Sequence, residues 1–261
     1  MQAANVLITG ASSGLGAALA RECAGPGVVL HLSAREASRL NGVAADCRAK
    51  GATVHTVGVD VRDEAAMAGW IGGAGRLDLV IANAGIGAGT GDGWESAEDA
   101  RRVFETNVTG VLNTALPAIA AMAEQPPGAD GLRGRIAVIA SVAAFVAAPS
   151  APAYGASKAA VQRWTEARDA TERKRGIRLH AVCPGFVHTP MTASNDFPMP
   201  FLMEPERAAR LTLAGIAAGR LRVVYPWRLY AMARLVGALP PGWRNWLLGM
   251  APPKRSGTPS A

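Results

Sequence analysis

The chain has 261 residues, 49% of them apolar and 18% charged, with a formal net charge of +7 and a pI near 9.9. That length suits one large α/β domain or two small ones and can bury a sizeable core. Its 30 glycines and 17 prolines show no repeat, which excludes collagen-like and low-complexity classes. A high pI raises nucleic acid or an anionic membrane as partners. The charge is uneven, however: residues 1–203 hold 18 basic and 18 acidic side chains, and residues 204–261 hold nine and two. Nucleic acid is not expected, because no reading helix or aromatic platform supports it.

Residues 1–5 have no basic n-region and run straight into a strand pattern, so no signal peptide is expected there. Short runs rich in Val, Ile and Leu then predict strands at 5–9, 28–33, 53–59, 77–82, 136–141, 177–183 and 222–225. Most are near-continuously apolar, as parallel strands covered on both faces must be. Helical spacing predicts helices at 15–24, 37–50, 64–71, 97–123 and 153–175. This alternation means βαβ units in a doubly wound parallel sheet, an α/β class of Rossmann type. The expected organisation is one cofactor domain over residues 1–225 with a basic helical extension over 226–261. Residues 136–157 carry no charge and are long enough to span a bilayer, but Pro149 and Pro152 argue against a spanning helix.

Cys23, Cys47 and Cys183 lack C-x-x-C spacing and are expected as small buried thiols in a reducing cytoplasm. His31, His55, His180 and His188 are scattered, so no metal site is expected. Neither a G-x-S-x-G elbow nor a G-K-[ST] phosphate loop is present.

The first strand ends in Thr9-Gly10-Ala11-Ser12-Ser13-Gly14-Leu15-Gly16, where a helix begins. Glycines permit a tight turn and a close backbone approach, and a helix N-terminus offers free N–H groups to a pyrophosphate. The alternative is a turn that needs glycine only for helix–strand packing. Further on, Asp60-Val61 follows the third strand and Asn83-Ala84-Gly85 the fourth. Asn107 lies in the next helix, Ser141 ends the fifth strand, and Tyr154-Gly155-Ala156-Ser157-Lys158 comes thirteen residues later. Pro184-Gly185, Val187 and Thr189 close the sixth strand.

In this order the motifs resemble the short-chain dehydrogenase/reductase family in its compact, single-domain branch, over about residues 5–190. Ala82 departs from the pattern, standing where a first Asn is common. The resemblance implies that Gly10, Ser12, Ser13, Gly14, Leu15, Gly16, Asp60, Val61, Asn83, Ala84, Gly85, Pro184, Gly185, Val187 and Thr189 hold a nicotinamide dinucleotide. It also implies Tyr154 as general acid/base, Lys158 as its tuner and ribose ligand, Ser141 as hydrogen-bond partner of the substrate oxygen, and Asn107 as holder of a relay water. The residues support such chemistry independently. Tyr154 and Lys158, four apart on a helix, share a face, and a nearby ammonium favours a phenolate that otherwise forms only near pH 10. NADP is favoured over NAD because the second strand ends in Leu32-Ser33-Ala34-Arg35, with no acid to repel a 2′-phosphate and a guanidinium able to pair with it. The alternative is that Arg35 pairs with Glu36.

The segments after Ser141 and Gly185 shape the substrate site in the family. Here they carry Val142, Phe145, Val146, Phe186, Met191, Phe197, Met199, Phe201, Leu202 and Met203, with Asp196 the one acid and no Lys or Arg from Phe186 to Met203. They imply a neutral, apolar ketone, aldehyde or secondary alcohol, or else ordinary lid packing. Beyond Tyr225 the chain departs from the compact family ending, with short helices expected at 226–236 and 243–248 that mix tryptophan with arginine. They suit subunit packing, a lid, or peripheral contact with a membrane. Residues 254–261 are expected to fray. The expected activity is an oxidoreductase, probed against one rival, a non-catalytic NADP(H)-sensing scaffold on the same fold. Relatives commonly form homodimers or homotetramers through the helices predicted at 97–123 and 153–175.

Overall fold

The computed structural model describes residues 4–87, 94–193, 195 and 197–249. Asp196 and the tail at 254–261 lie outside the described residues, as do residues 1–3 of the leader reading. The strand runs fold as β1 (Asn5–Thr9), β2 (Val29–Ala34), β3 (Thr53–Gly58), β4 (Leu79–Ala82), β5 (Gly134–Ile139), β6 (Ile177–Pro184) and β7 (Arg222–Tyr225). They form one parallel seven-stranded sheet in the order β3-β2-β1-β4-β5-β6-β7.

Period-two alternation divides each strand between two cores. Val6 and Ile8 of β1 join the layer covered by α1 (Gly14–Cys23), α2 (Ala37–Ala49) and α8 (Pro205–Ala217). Leu7 joins the layer under α3 (Glu64–Gly72), α5 (Gly110–Glu124) and α6 (Pro152–Glu172). Leu7 and Ile8 are fully buried, and each such side chain contributes about 1.5–3 kcal/mol. The remaining helices are α4 (Ala97–Phe104), α7 (Pro190–Ala193), α9 (Trp227–Gly237) and α10 (Pro241–Gly249).

Three departures from the predicted elements have local causes. The helix expected over 97–123 is α4 and α5 joined by a π-helical segment, Glu105–Thr109, that carries Asn107. The strand expected to reach Ser141 stops at Ile139, because Ser141 instead caps a 3-10 helix, Val142–Phe145, by accepting from the Ala143 N–H at 3.1 Å. β4 starts late because the Gln125 side chain takes the backbone of Leu77, accepting from its N–H at 3.1 Å and donating to its carbonyl at 2.7 Å. The uncharged stretch at 136–157 is most of β5, this 3-10 helix and the start of α6. No helix among the described residues is long and apolar enough to cross a membrane. Cys47 and Cys183 are buried, but Cys23 is only half-buried.

Candidate active site

The strand order reverses between β1 and β4, and the cleft expected at such a switch point opens at the C-terminal ends of the strands. Every predicted cofactor residue lines it, as do Ser141, Tyr154 and Lys158.

Its floor is a backbone cradle. Gly10 has φ +65°, and a Cβ there would lie 2.8 Å from the Ala84 Cα. A Cβ on Gly16 would meet the Gly10 carbonyl oxygen at 2.2 Å. Asn83 donates to the Thr9 and Gly10 carbonyls, both at 3.0 Å, and Thr9 Oγ1 accepts from the Asn83 and Ala84 amides. The loop after β1 is thereby fixed to the end of β4. Ser13 makes no side-chain cap, which leaves the first-turn amides of α1 facing the cleft, as an anion site needs.

At the far rim, Arg35 is exposed and makes no hydrogen bond or ion pair among the described residues. Glu36 instead takes a bidentate pair from Arg39, another lining residue, at 2.6 Å. Ser33 is buried, and its Oγ lacks a partner among the described residues. An orphaned hydroxyl beside a cradle that side chains would fill fits a dinucleotide, and the guanidinium at the rim fits a phosphate on it. Asp60 also lines the cleft, its carboxyl held below the usual range by hydrogen bonds from Arg62.

The catalytic candidates sit at the other end. Lys158 is buried and donates to the Ile139 carbonyl at 2.8 Å, with its Nζ 5.8 Å from the Tyr154 ring centroid. Burial pulls its ammonium down to about 8. Tyr154 is hydrogen-bonded to Ser141, yet loss of water pushes its phenol above the ordinary value. The expected lowering by Lys158 is absent from this state of the site: its ammonium is turned to the Ile139 carbonyl, and only Ser141 opposes the loss of water at the phenol.

With a Rossmann sheet, a glycine cradle and a Ser–Tyr–Lys cluster together, comparison with known proteins becomes decisive. The family model for short chain dehydrogenase matches residues 4–198. The chain belongs to the short-chain dehydrogenase/reductase family. An uncharacterised oxidoreductase of Myxococcus xanthus is 37% identical over 238 residues, covering 90% of this chain and 92% of its own length. A short-chain dehydrogenase of Sphingobium yanoikuyae, solved with NADPH, superposes with a TM-score of 0.78 at 27% identity, covering 97% of this chain and 98% of its own. Another from Burkholderia phymatum, solved with NAD, gives 0.77 at 26% identity, covering 98% of each chain.

In this oxidoreductase, Asn107 is the one predicted site residue outside the cleft lining. Its side chain is fully buried and spent: Oδ1 accepts from the Ile86 N–H at 2.8 Å, and Nδ2 donates to the Ile86 carbonyl and to Ser157 Oγ. Ser157 in turn donates to the Tyr154 carbonyl at 2.8 Å. That amide has no N–H left to donate to a relay water; it ties the exit of β4 to α6. The substrate segment also differs from expectation. Of its ten apolar residues, only Met191 lines the cleft. Val142 and Met203 are buried, and Phe145 turns away to meet the Tyr230 ring at 4.9 Å. His188 is exposed and does not line the cleft.

Glu95 escaped the sequence reading. Its carboxylate accepts the Ala153 N–H at 3.1 and 3.2 Å, capping the first turn of α6 next to Tyr154. Burial pushes its pKa up, with the Ala153 N–H opposing. The contact spans 58 residues of sequence, so no local motif could signal it. Ile86, Thr106, Pro190 and Thr192 are further lining residues without a sequence signature.

Proposed function

We propose that this oxidoreductase is an NADP-dependent alcohol dehydrogenase or carbonyl reductase for neutral, apolar ketones, aldehydes or secondary alcohols. The observation that carries the reading is Ser141, Tyr154 and Lys158 gathered in the same cleft whose floor is the glycine cradle. NADP(H) supplies the hydride when bound. In reduction the Tyr154 hydroxyl gives its proton to the carbonyl oxygen, and in oxidation it takes one back. Ser141 hydrogen-bonds the same oxygen. Lys158 favours the phenolate left behind and holds the ribose, while Asn107 and Glu95 position α6.

Arg35, with Ser33 and Arg39 nearby, supports the 2′-phosphate reading. The charged side chains of the cleft other than Lys158 (Arg35, Glu36, Arg39 and Asp60) come from the loops after β2 and β3 and the first turn of α2, and Ile86, Val187, Pro190 and Met191 supply apolar lining, which supports a neutral substrate. Family habit supports a dimer or tetramer through α4, α5 and α6, where Phe104 and Leu116 are exposed. Three cysteines without a disulfide suit a cytoplasmic location. The non-catalytic scaffold reading gains nothing from a site that retains both Tyr154 and Lys158.

The test is turnover of a panel of apolar ketones and keto acids with NADPH and NADH. Tyr154→Phe is expected to lose about 10²–10⁴-fold in kcat while still binding NADPH. Arg35→Glu is expected to move the preference toward NADH. A Tyr154→Phe variant as fast as wild type would overturn the mechanism, and preference for charged keto acids would overturn the substrate class.

A further inference from the structure

We propose that α9 and α10 form an interfacial anchor that docks this protein on the surface of an anionic lipid bilayer. Six of the exposed large apolar side chains gather on these two helices: Trp227, Met232, Leu235, Trp243, Trp246 and Leu247. The three tryptophans are 69–73% exposed. The others among the described residues are spread over the chain: Trp94 next to Glu95, Phe104 next to Glu105, Leu116, Leu211 and the pair Phe201 and Leu202. A cluster of this kind on a water-facing surface marks an interaction site.

The geometry separates an inner from an outer side. On α9 the inner side is taken: Ala233 is buried, Tyr230 meets Phe145, and Leu229 lies against Gly185. Trp227, Met232 and Leu235 remain outside. On α10, Trp243, Trp246 and Leu247 are spaced i, i+3, i+4 and share one side, away from Asn245.

Charge decides the occupant. Arg228 and Arg244 sit on these helices, Arg234 is turned inward over the Phe145 ring at 5.9 Å, and no residue from 207 to 249 is acidic. A second copy of the chain would bring arginine against arginine. Anionic lipid headgroups instead offer phosphates and carboxylates to the guanidiniums, while the amphipathic tryptophan rings rest at headgroup level. Arg228 already lies 5.8 Å over the Trp227 ring, which keeps cation and ring at one depth. With no described helix long enough to span, the contact lies in the interface plane. The proposal is independent of the catalytic reading, since none of these residues lines the cleft.

Flotation of the full chain with vesicles of phosphatidylcholine alone, and of equimolar phosphatidylcholine and phosphatidylserine, tests it at physiological ionic strength. Arg228 and Arg244 at roughly fivefold each predict about a twenty-five-fold preference for the anionic vesicles. Trp243→Ser with Trp246→Ser is expected to cut that binding by about tenfold or more, with circular dichroism and NADPH affinity unchanged. Arg228→Glu with Arg244→Glu is expected to erase the preference for phosphatidylserine. Wild-type protein that stays unbound, or that floats equally with both vesicles, would overturn the proposal. So would a tryptophan pair variant that floats like wild type but shifts the sedimentation coefficient, which would assign this side to a second copy.

Discussion

The cofactor cleft and the C-terminal helices put polar and apolar groups to opposite uses. Around the cleft, Asn83, Asn107 and Thr9 turn their side chains onto backbone atoms, and the floor left for a phosphate chain is glycine and free amide. In α9 and α10 the backbone satisfies itself within the helices, and it is large side chains that face outward. A site that must admit a phosphate chain is built by removing side chains, and its positions tolerate almost nothing added. A surface helix gains its character from what it displays, so its substitutions leave the fold intact.

The largest expected effect follows from that contrast. Gly16→Ala would put a methyl 2.2 Å from the Gly10 carbonyl oxygen and 2.5 Å from Asn83 Nδ2. Neither atom can yield, because Asn83 is bonded to both Thr9 and Gly10. NADPH affinity is expected to fall more than tenfold, with overpacking taking roughly 1–3 kcal/mol of stability as well. A fluorescence titration and a melting curve measure the two losses. Normal NADPH affinity in this variant would remove the cradle from the argument.

Next comes a pH effect with two opposite signs. Burial places the Lys158 pKa at about 8, below that of a lysine in the unfolded chain. Above pH 8 the folded protein releases this proton while the unfolded chain keeps it, so the group's contribution to stability rises between pH 8 and 10. Over the same window the ammonium that supports Tyr154 disappears, and the phenol, itself pushed up, stays protonated. Carbonyl reduction measured as kcat/KM is therefore expected to fall by roughly tenfold per pH unit above 8 as thermal stability gains. Lys158→Met should abolish both trends. Parallel loss of activity and stability in the wild type would show simple unfolding instead.

What the sequence made legible in each region follows the same division. The cleft motifs Gly10 to Gly16, Asn83 to Gly85 and Tyr154 to Lys158 are short because each is one strand end or one helical turn, and the strand order brings them together. Asn107 is found by order along the chain, but the bonds its amide makes to Ile86 and Ser157 are not, because they depend on the π-helical turn that buries it. Glu95 and the unpartnered Ser33 hydroxyl depend on contacts between distant segments, which no spacing rule contains. The substrate segment misled for another reason. Phe145 and Met203 have the composition of a pocket and the packing of a core, and apolarity alone does not distinguish the two.

The smallest effect belongs where the two regions meet. Gly237 leaves no room for a side chain against the 3-10 helix after Ser141: an added Cβ would lie 2.0 Å from the Phe145 carbonyl oxygen and 3.2 Å from its carbon. Phe145 is held on its other sides by Tyr230 and by the guanidinium of Arg222, 5.1 Å from its ring, with Arg222 in turn paired to Glu166. Gly237→Ala must therefore lift the end of α9 or displace the 3-10 helix that Ser141 caps. The glycine cradle lies on a different set of loops, so NADPH affinity is expected to stay within about twofold while kcat falls severalfold, as a displaced positioning group does. Steady-state kinetics beside the NADPH titration read the split. Equal losses in both would mean that α9 supports the whole sheet, and no loss in either would place the entire C-terminal region outside the catalytic unit.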